Sequence, residues 1–258
     1  MVTSVRSVAL PVEHGGWSLT LEPALLGLAV EPSTAGLALA GVALVGFLVR
    51  TPLKLALVDH RRGRRLDRTH LAQRVAVVEL LVAAALVVFA ATSAEQAFWW
   101  PLAAAAPLVA IELWYDIRSR SRRLIPELAG SVGVAAVAGA IALAGGATSL
   151  VALGLWFVAG ARAVAAIPFV RVQIRRVKSQ PRQMPASDVA QLAAVAAGSI
   201  GYALDAVPVA GLIALIGLAT AQAVLVRLPP PPVPVLGAQQ VALGLAVVLA
   251  TALGVRSP

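Results

Sequence analysis

Long apolar stretches separated by short polar turns run the whole length of the chain. A helix needs about 20 mainly apolar residues to cross a bilayer, because lipid gives backbone amides no partner outside the helix itself. That spacing predicts nine membrane helices, over residues 12–30, 34–50, 74–92, 99–115, 127–145, 149–170, 188–205, 207–226 and 235–254. Asp205 and Pro208 mark a tight turn or a kink between the seventh and eighth. The run LPPPPVP over 228–234 reads as a short polyproline spacer, not helix. Glu13, His14 and Glu22 interrupt the first segment and no small-residue cleavage site follows, so it is expected to be retained. The expected fold is all-α: a polytopic membrane protein, with 1–258 forming one transmembrane helical domain.

Composition agrees with that pattern. Apolar residues make up 59% of the chain and charged residues 13%, against about 45–50% and about 25% in a soluble domain. Mean hydropathy is +0.87. These values exclude a disordered chain, a disulfide scaffold and an ordinary soluble enzyme, and the absence of Cys removes thiol chemistry. A pI near 11.4 raises the question of nucleic acid. The charges, however, sit in clusters between apolar runs with no reader motif, which argues against that partner.

Those clusters set an orientation, since Lys and Arg favour cytoplasmic loops. Arg50, Lys54, Arg61, Arg62, Arg64, Arg65, Arg68 and Arg74 fall between segments two and three. Arg118, Arg120, Arg122 and Arg123 follow segment four, and Arg171, Arg175, Arg176, Lys178 and Arg182 follow segment six. Arg6 precedes the first segment and Arg227 follows the eighth. The alternate turns carry Glu31, Glu95 and Asp205 and no base; Arg256 alone falls on the far side. Nine spans therefore put every basic cluster in the cytoplasm, with the N-terminus inside, in the cell membrane.

An ionisable group within a span marks a candidate site. Glu22 and Arg162 have opposite charge and similar depth, about 15 Å and about 12 Å from the cytoplasmic ends of their helices at 1.5 Å per residue. They are expected to meet inside the bundle, as a packing pair or as part of a site. Nearer the cytoplasmic face stand Glu79, Glu112, Tyr115, Asp116 and Glu127. Tyr115 and Trp114 also suit an interfacial anchoring role, and Glu127 suits the first turn of a helix.

Three stretches carry the remaining candidate chemistry. In the run PVEHGGW over 11–17, Pro11 opens a helix, the glycines weaken its first turn, and Glu13 and His14 stand at the membrane surface with Trp17 behind them. His14 has a pKa suited to acid–base work. If 53–62 is helical, Lys54 and Asp59 lie on neighbouring flanks and face one cavity. Arg171, Arg175 and Lys178 form one helical stripe able to grip phosphate or anionic lipid. No His/Asp/Glu set has metal-ligand spacing, and no cofactor is implied.

The run PVEHGGWSLTLEPALLG over 11–27 resembles the opening of the YwiC-like family of bacterial integral membrane proteins. Three further stretches resemble the same family: RTPLKLALVDHRRGRR (50–65), WYDIRSRSRRLIPELAG (114–130) and GARAVAAIPFVRVQIR (160–175). The layout is also similar to the UbiA-type prenyltransferase superfamily, whose nine-helix bundles carry cytoplasmic active-site loops after helices two, four and six. That likeness implies a UbiA-like bundle and an isoprenoid diphosphate ligand. The superfamily holds Mg²⁺ on Asp-rich motifs after helices two and six. Here the first region keeps Asp59 and Asp67, and 170–186 has no carboxylate and five bases. A hard dication needs oxygen ligands, so Mg²⁺-dependent prenyl transfer is not expected. Lys54, Arg118, Arg171 and Arg175 would hold an anion directly.

Three functions remain open. In the first, a cytoplasm-facing cavity binds an amphipathic anion such as an isoprenoid diphosphate, quinone precursor or lipid. Such a protein is either a binder or a divergent isoprenoid transferase using Glu13, His14 or Asp59. The second is a transporter with Glu22 and Arg162 along its path, though no internal repeat is visible. The third is a non-catalytic assembly factor whose basic loops meet lipid or acidic proteins. On these readings Trp17, Glu22, Tyr115, Asp116 and Arg162 join the basic residues around the ligand.

Overall fold

The structure is a computed structural model that describes residues 8–11, 14–63, 66–120, 122–180 and 184–256. Among them are nine helices and no strand: α1 (His14–Val30), α2 (Thr34–Arg61), α3 (Asp67–Ser93), α4 (Trp99–Ile117), α5 (Leu124–Ala144), α6 (Ser149–Val177), α7 (Met184–Ala203), α8 (Val209–Leu225) and α9 (Val233–Arg256). Five of them, α2, α3, α5, α6 and α9, are long and apolar enough to cross a membrane. Each expected segment has its helix.

The differences lie at the ends. α2 runs on to Arg61 through Pro52, and α6 to Val177 through Pro168. Hydropathy falls where the chain leaves the apolar layer, yet the helical hydrogen bonds continue into the polar one. α1 is described from His14 onward, and Pro11 lies outside helix. α9 takes in Val233 and Pro234, so the connection from α8 runs over 226–232. Proline in a first turn forfeits no hydrogen bond, because that amide has no acceptor there. Between α7 and α8 the chain makes a tight turn: Asp205 takes φ 56°, and the Ala206 and Val207 amides both donate to Gly201 O, at 2.9 and 3.0 Å.

α6 is the central helix, packed by α1, α5, α7, α8 and α9. Small residues let the backbones close up. A Cβ on Gly139 of α5 would lie 2.6 Å from Ala152 O of α6. Outward faces, by contrast, are apolar. Leu81 and Phe89 on α3, Leu192 and Ile200 on α7, and Leu249 on α9 are exposed, Leu192 to 71%. Helices that are apolar on both inner and outer faces belong in lipid, and the chain is a multi-pass membrane protein.

The turns gather at two ends. At one, the Glu95 amide donates to Ala144 O, Gln96 to Gly146 O, and Arg256 to Val30 O. At the other, Arg61 bonds Ile117 O, Arg171 bonds Arg122 O, and Arg176 bonds Val226 O. This second, basic end collects the turns after α2, α4, α6 and α8.

Candidate functional site

The basic end holds a cavity of about 360 Å³. Arg50, Lys54, Asp59 and Arg62 of the α2 end, Arg68 of α3 and Ser119 after α4 supply its polar wall. Phe47, Leu55 and Val58, with Leu10 and Pro11 from the segment before α1, supply the apolar wall. Val8 fixes that segment by packing into a buried cluster with Ala56 and Ala72. Lys54 and Asp59 do face one cavity, because α2 stays helical to Arg61.

Beneath the cations lie carboxylates. Asp116 is 1% exposed. Arg50 grips it with Nε at 2.8 Å and Nη2 at 3.3 Å, and Lys54 Nζ stands 3.5 Å away. The third arm of the Arg50 fork, Nη1, pairs with Glu112 Oε1 at 2.7 Å. α4 can place Glu112 there because Gly130 of α5 faces it, and a Cβ at Gly130 would collide with the carboxylate. Asp59 is equally buried and accepts from Thr69 Oγ1 at 2.8 Å and from Arg68 at 3.2 and 3.4 Å. With both oxygens engaged, Asp59 is set to hold Arg68 in place more than to move a proton. Arg62 reaches Ser119 Oγ at 3.3 Å. The arrangement is a cationic rim over an acidic floor, beside an apolar wall.

A second polar centre lies deeper. Glu22 and Arg162 meet as expected, Arg162 Nε 3.2 Å from Oε2 and Nη2 3.3 Å from Oε1, both residues buried. Arg162 Nη2 also donates to Gln240 O at 2.7 Å. Gln222 Nε2 donates to Gln240 Oε1 at 3.0 Å, and Gln191 Nε2 to Gln222 Oε1 at 2.9 Å. The ladder thus ties α1, α6, α9, α8 and α7 together. Sequence reading missed Gln191, Gln222 and Gln240 because it searched the apolar runs for ionisable groups only. A carboxamide in a span is itself a signal, since it seeks a partner on a neighbouring helix.

The other candidates are dispersed. Trp17 packs edge-to-face on Phe47, ring centres 5.0 Å apart, and so backs the cavity wall. The Arg118 guanidinium sits 3.3 Å over the exposed Trp114 ring. Tyr115 is half-buried, its carbonyl accepting from the Arg120 amide at 2.9 Å. Arg171 pairs with Glu127 at 2.6 Å. Arg175 is half-buried on α6, and Lys178 caps that helix instead of extending its stripe. None of Tyr115, Arg118, Arg171, Arg175 and Lys178 lines the cavity. Glu13 and the side chain of His14 lie outside the described residues. Among the described residues no three His, Asp or Glu side chains gather to hold a metal. Asp59 is committed to Thr69 and Arg68, and Asp67 is exposed, so the donor set does not fit Mg²⁺.

A family model described as YwiC-like protein matches residues 10–143, just over half of the chain. The chain belongs to the YwiC-like protein family. Every residue named in the cavity wall, from Leu10 to Ser119, falls inside the matched span, as do Glu112 and Asp116. In this YwiC-like chain the Gln ladder, Glu22 apart, falls outside it. No curated protein and no solved structure matches the chain.

Proposed function

We propose that this YwiC-like protein binds an amphipathic anion, an isoprenoid or another lipid, in the cavity at its basic end. The observation that carries the reading is the wall itself: Arg50, Lys54, Arg62 and Arg68 beside Phe47, Leu55 and Val58. A charged head and an apolar chain each find a matching surface there, and pockets of about 300–1,000 Å³ are the usual size for small ligands. The nine helices are read as nine spans in a UbiA-like bundle, with the N-terminus and all basic turns cytoplasmic by the positive-inside rule. Asp59 and Asp116 position the cations. Any acid–base chemistry falls to Glu13 and His14, which precede the cavity-backing Trp17 in sequence.

The Glu22–Arg162 pair favours a structural role over a transport path. The space beside it is about 10 Å³, room for about one water molecule. A lock of five helices is what such a closed ladder provides.

The test is lipid extraction from protein purified in a neutral detergent, with the extract identified by mass spectrometry. One anionic amphiphile should dominate, and Lys54→Ala with Arg68→Ala should deplete it. An extract that mirrors bulk membrane lipid in both proteins would overturn the reading.

A further inference from the structure

Along α2 the apolar wall of the cavity is interrupted by a hydroxyl. Phe47, Thr51, Leu55 and Val58 follow one another at helical spacing, so they share one face of α2, and all of them line the cavity. Thr51 is half-buried in that stripe. Its hydroxyl has no hydrogen-bond partner among the described residues. A threonine inside a helix can turn its hydroxyl back to a carbonyl of the preceding turn. Thr92 of α3 does so, bonding Val88 O at 3.2 Å and Phe89 O at 3.0 Å. Thr51 Oγ1 is left to whatever fills the cavity. A bare hydrocarbon chain would cover it dry and leave its hydrogen bond unmet.

The hydroxyl also stands apart from the outer cations. Arg68 is held on Asp59, which lies about 12 Å along the α2 axis from Thr51 at 1.5 Å per residue. A single anionic head seated on Arg68 therefore ends short of Thr51, and an oxygen a few bonds further down the ligand reaches it. We infer that Thr51 sets specificity: its hydroxyl hydrogen-bonds an uncharged oxygen, an ester or a hydroxyl, carried a few bonds below the anionic head. The ligand class is then an oxygenated anionic lipid, such as an acylglycerol phosphate, in preference to a plain alkyl or prenyl chain on an anion. The inference rests on the amphipathic-anion reading and deepens it. Phe47 beyond Thr51 receives the hydrocarbon that follows the oxygen.

The test measures dissociation constants on the full chain in neutral detergent for two probes with the same phosphate head, oleoyl lysophosphatidate and oleyl phosphate. The first carries a hydroxyl and an ester below the phosphate; the second carries hydrocarbon alone. Lysophosphatidate should bind about 3- to 10-fold more tightly, the worth of one neutral hydrogen bond. Thr51→Val keeps the shape of the side chain and removes the hydroxyl; it should abolish that preference without weakening oleyl phosphate. Thr51→Ser keeps the hydroxyl and should retain the preference, which separates recognition from helix packing. Equal affinities in the parent, a preference that survives Thr51→Val, or a loss shared equally by both probes overturns this inference and leaves the amphipathic-anion reading standing. If neither probe binds, both fail.

Discussion

Replacing Arg162 is the sharpest probe of the packing. Arg162 is 3% exposed and Glu22 5%, and the guanidinium also holds Gln240 O at 2.7 Å. Arg162→Met keeps most of the side chain's bulk but strands a buried carboxylate. Breaking one partner of a buried pair costs about 3–5 kcal/mol, and the orphaned carbonyl adds about 1–3 kcal/mol. The single variant should thus lose roughly 4–6 kcal/mol, part of the second amount being recovered by relaxation. Glu22→Gln in the same background removes the stranded charge and should restore about 2 kcal/mol or more. Unfolding in mixed micelles, followed by the fluorescence of the five Trp, gives both values and their coupling. A single variant within about 0.5 kcal/mol of the parent, the range of ordinary surface changes, refutes the reasoning. So does a double variant whose loss equals the sum of the two singles.

Other outcomes follow from the same geometry. Gly244→Ala drives a methyl group into the Glu22 carboxylate; it should destabilise by about 1–3 kcal/mol, and Glu22→Asp should relieve part of that in a thermal melt. Thr69→Val removes the 2.8 Å hydrogen bond to buried Asp59. It should cost about 1–3 kcal/mol and weaken ligand binding by loosening Arg68, both measurable on the purified chain. The chain has no Cys, so single cysteines report topology without background. In intact cells an impermeant maleimide should label Glu31→Cys, and should label Ser119→Cys only after lysis; equal labelling of both would refute the orientation.

Much of the fold was legible because lipid imposes a simple rule on the backbone. Each of the nine apolar runs has a helix among the described residues, and the basic turns expected on one side do gather at one end. Helix ends were less legible. Pro52 and Pro168 lie inside helices that continue past the apolar layer, where hydropathy carries no signal. At the site, depth paired Glu22 with Arg162, and helical phase put Lys54 and Asp59 on one cavity. Asp116 was placed near the ligand and proves to lie beneath Arg50 and Lys54. The role of Arg50, Glu112 and Arg68 was not visible, because a basic turn looks the same whether its cations meet solvent or carboxylates of another helix. Arg118 and Arg171, expected at the anion, are engaged by Trp114 and Glu127. Such pairings depend on helix-to-helix contacts that spacing along one chain does not encode.

The most direct measurement is photo-crosslinking of the membrane-embedded protein with a long-chain carboxylate that carries a diazirine near its head, followed by peptide mapping. Adducts on Leu10, Phe47, Leu55 or Val58, lost when excess oleate competes, are the expected result. Adducts confined to the outer faces of α3 and α7, such as Leu81 and Leu192, and insensitive to competitor, would contradict a ligand cavity at the basic end.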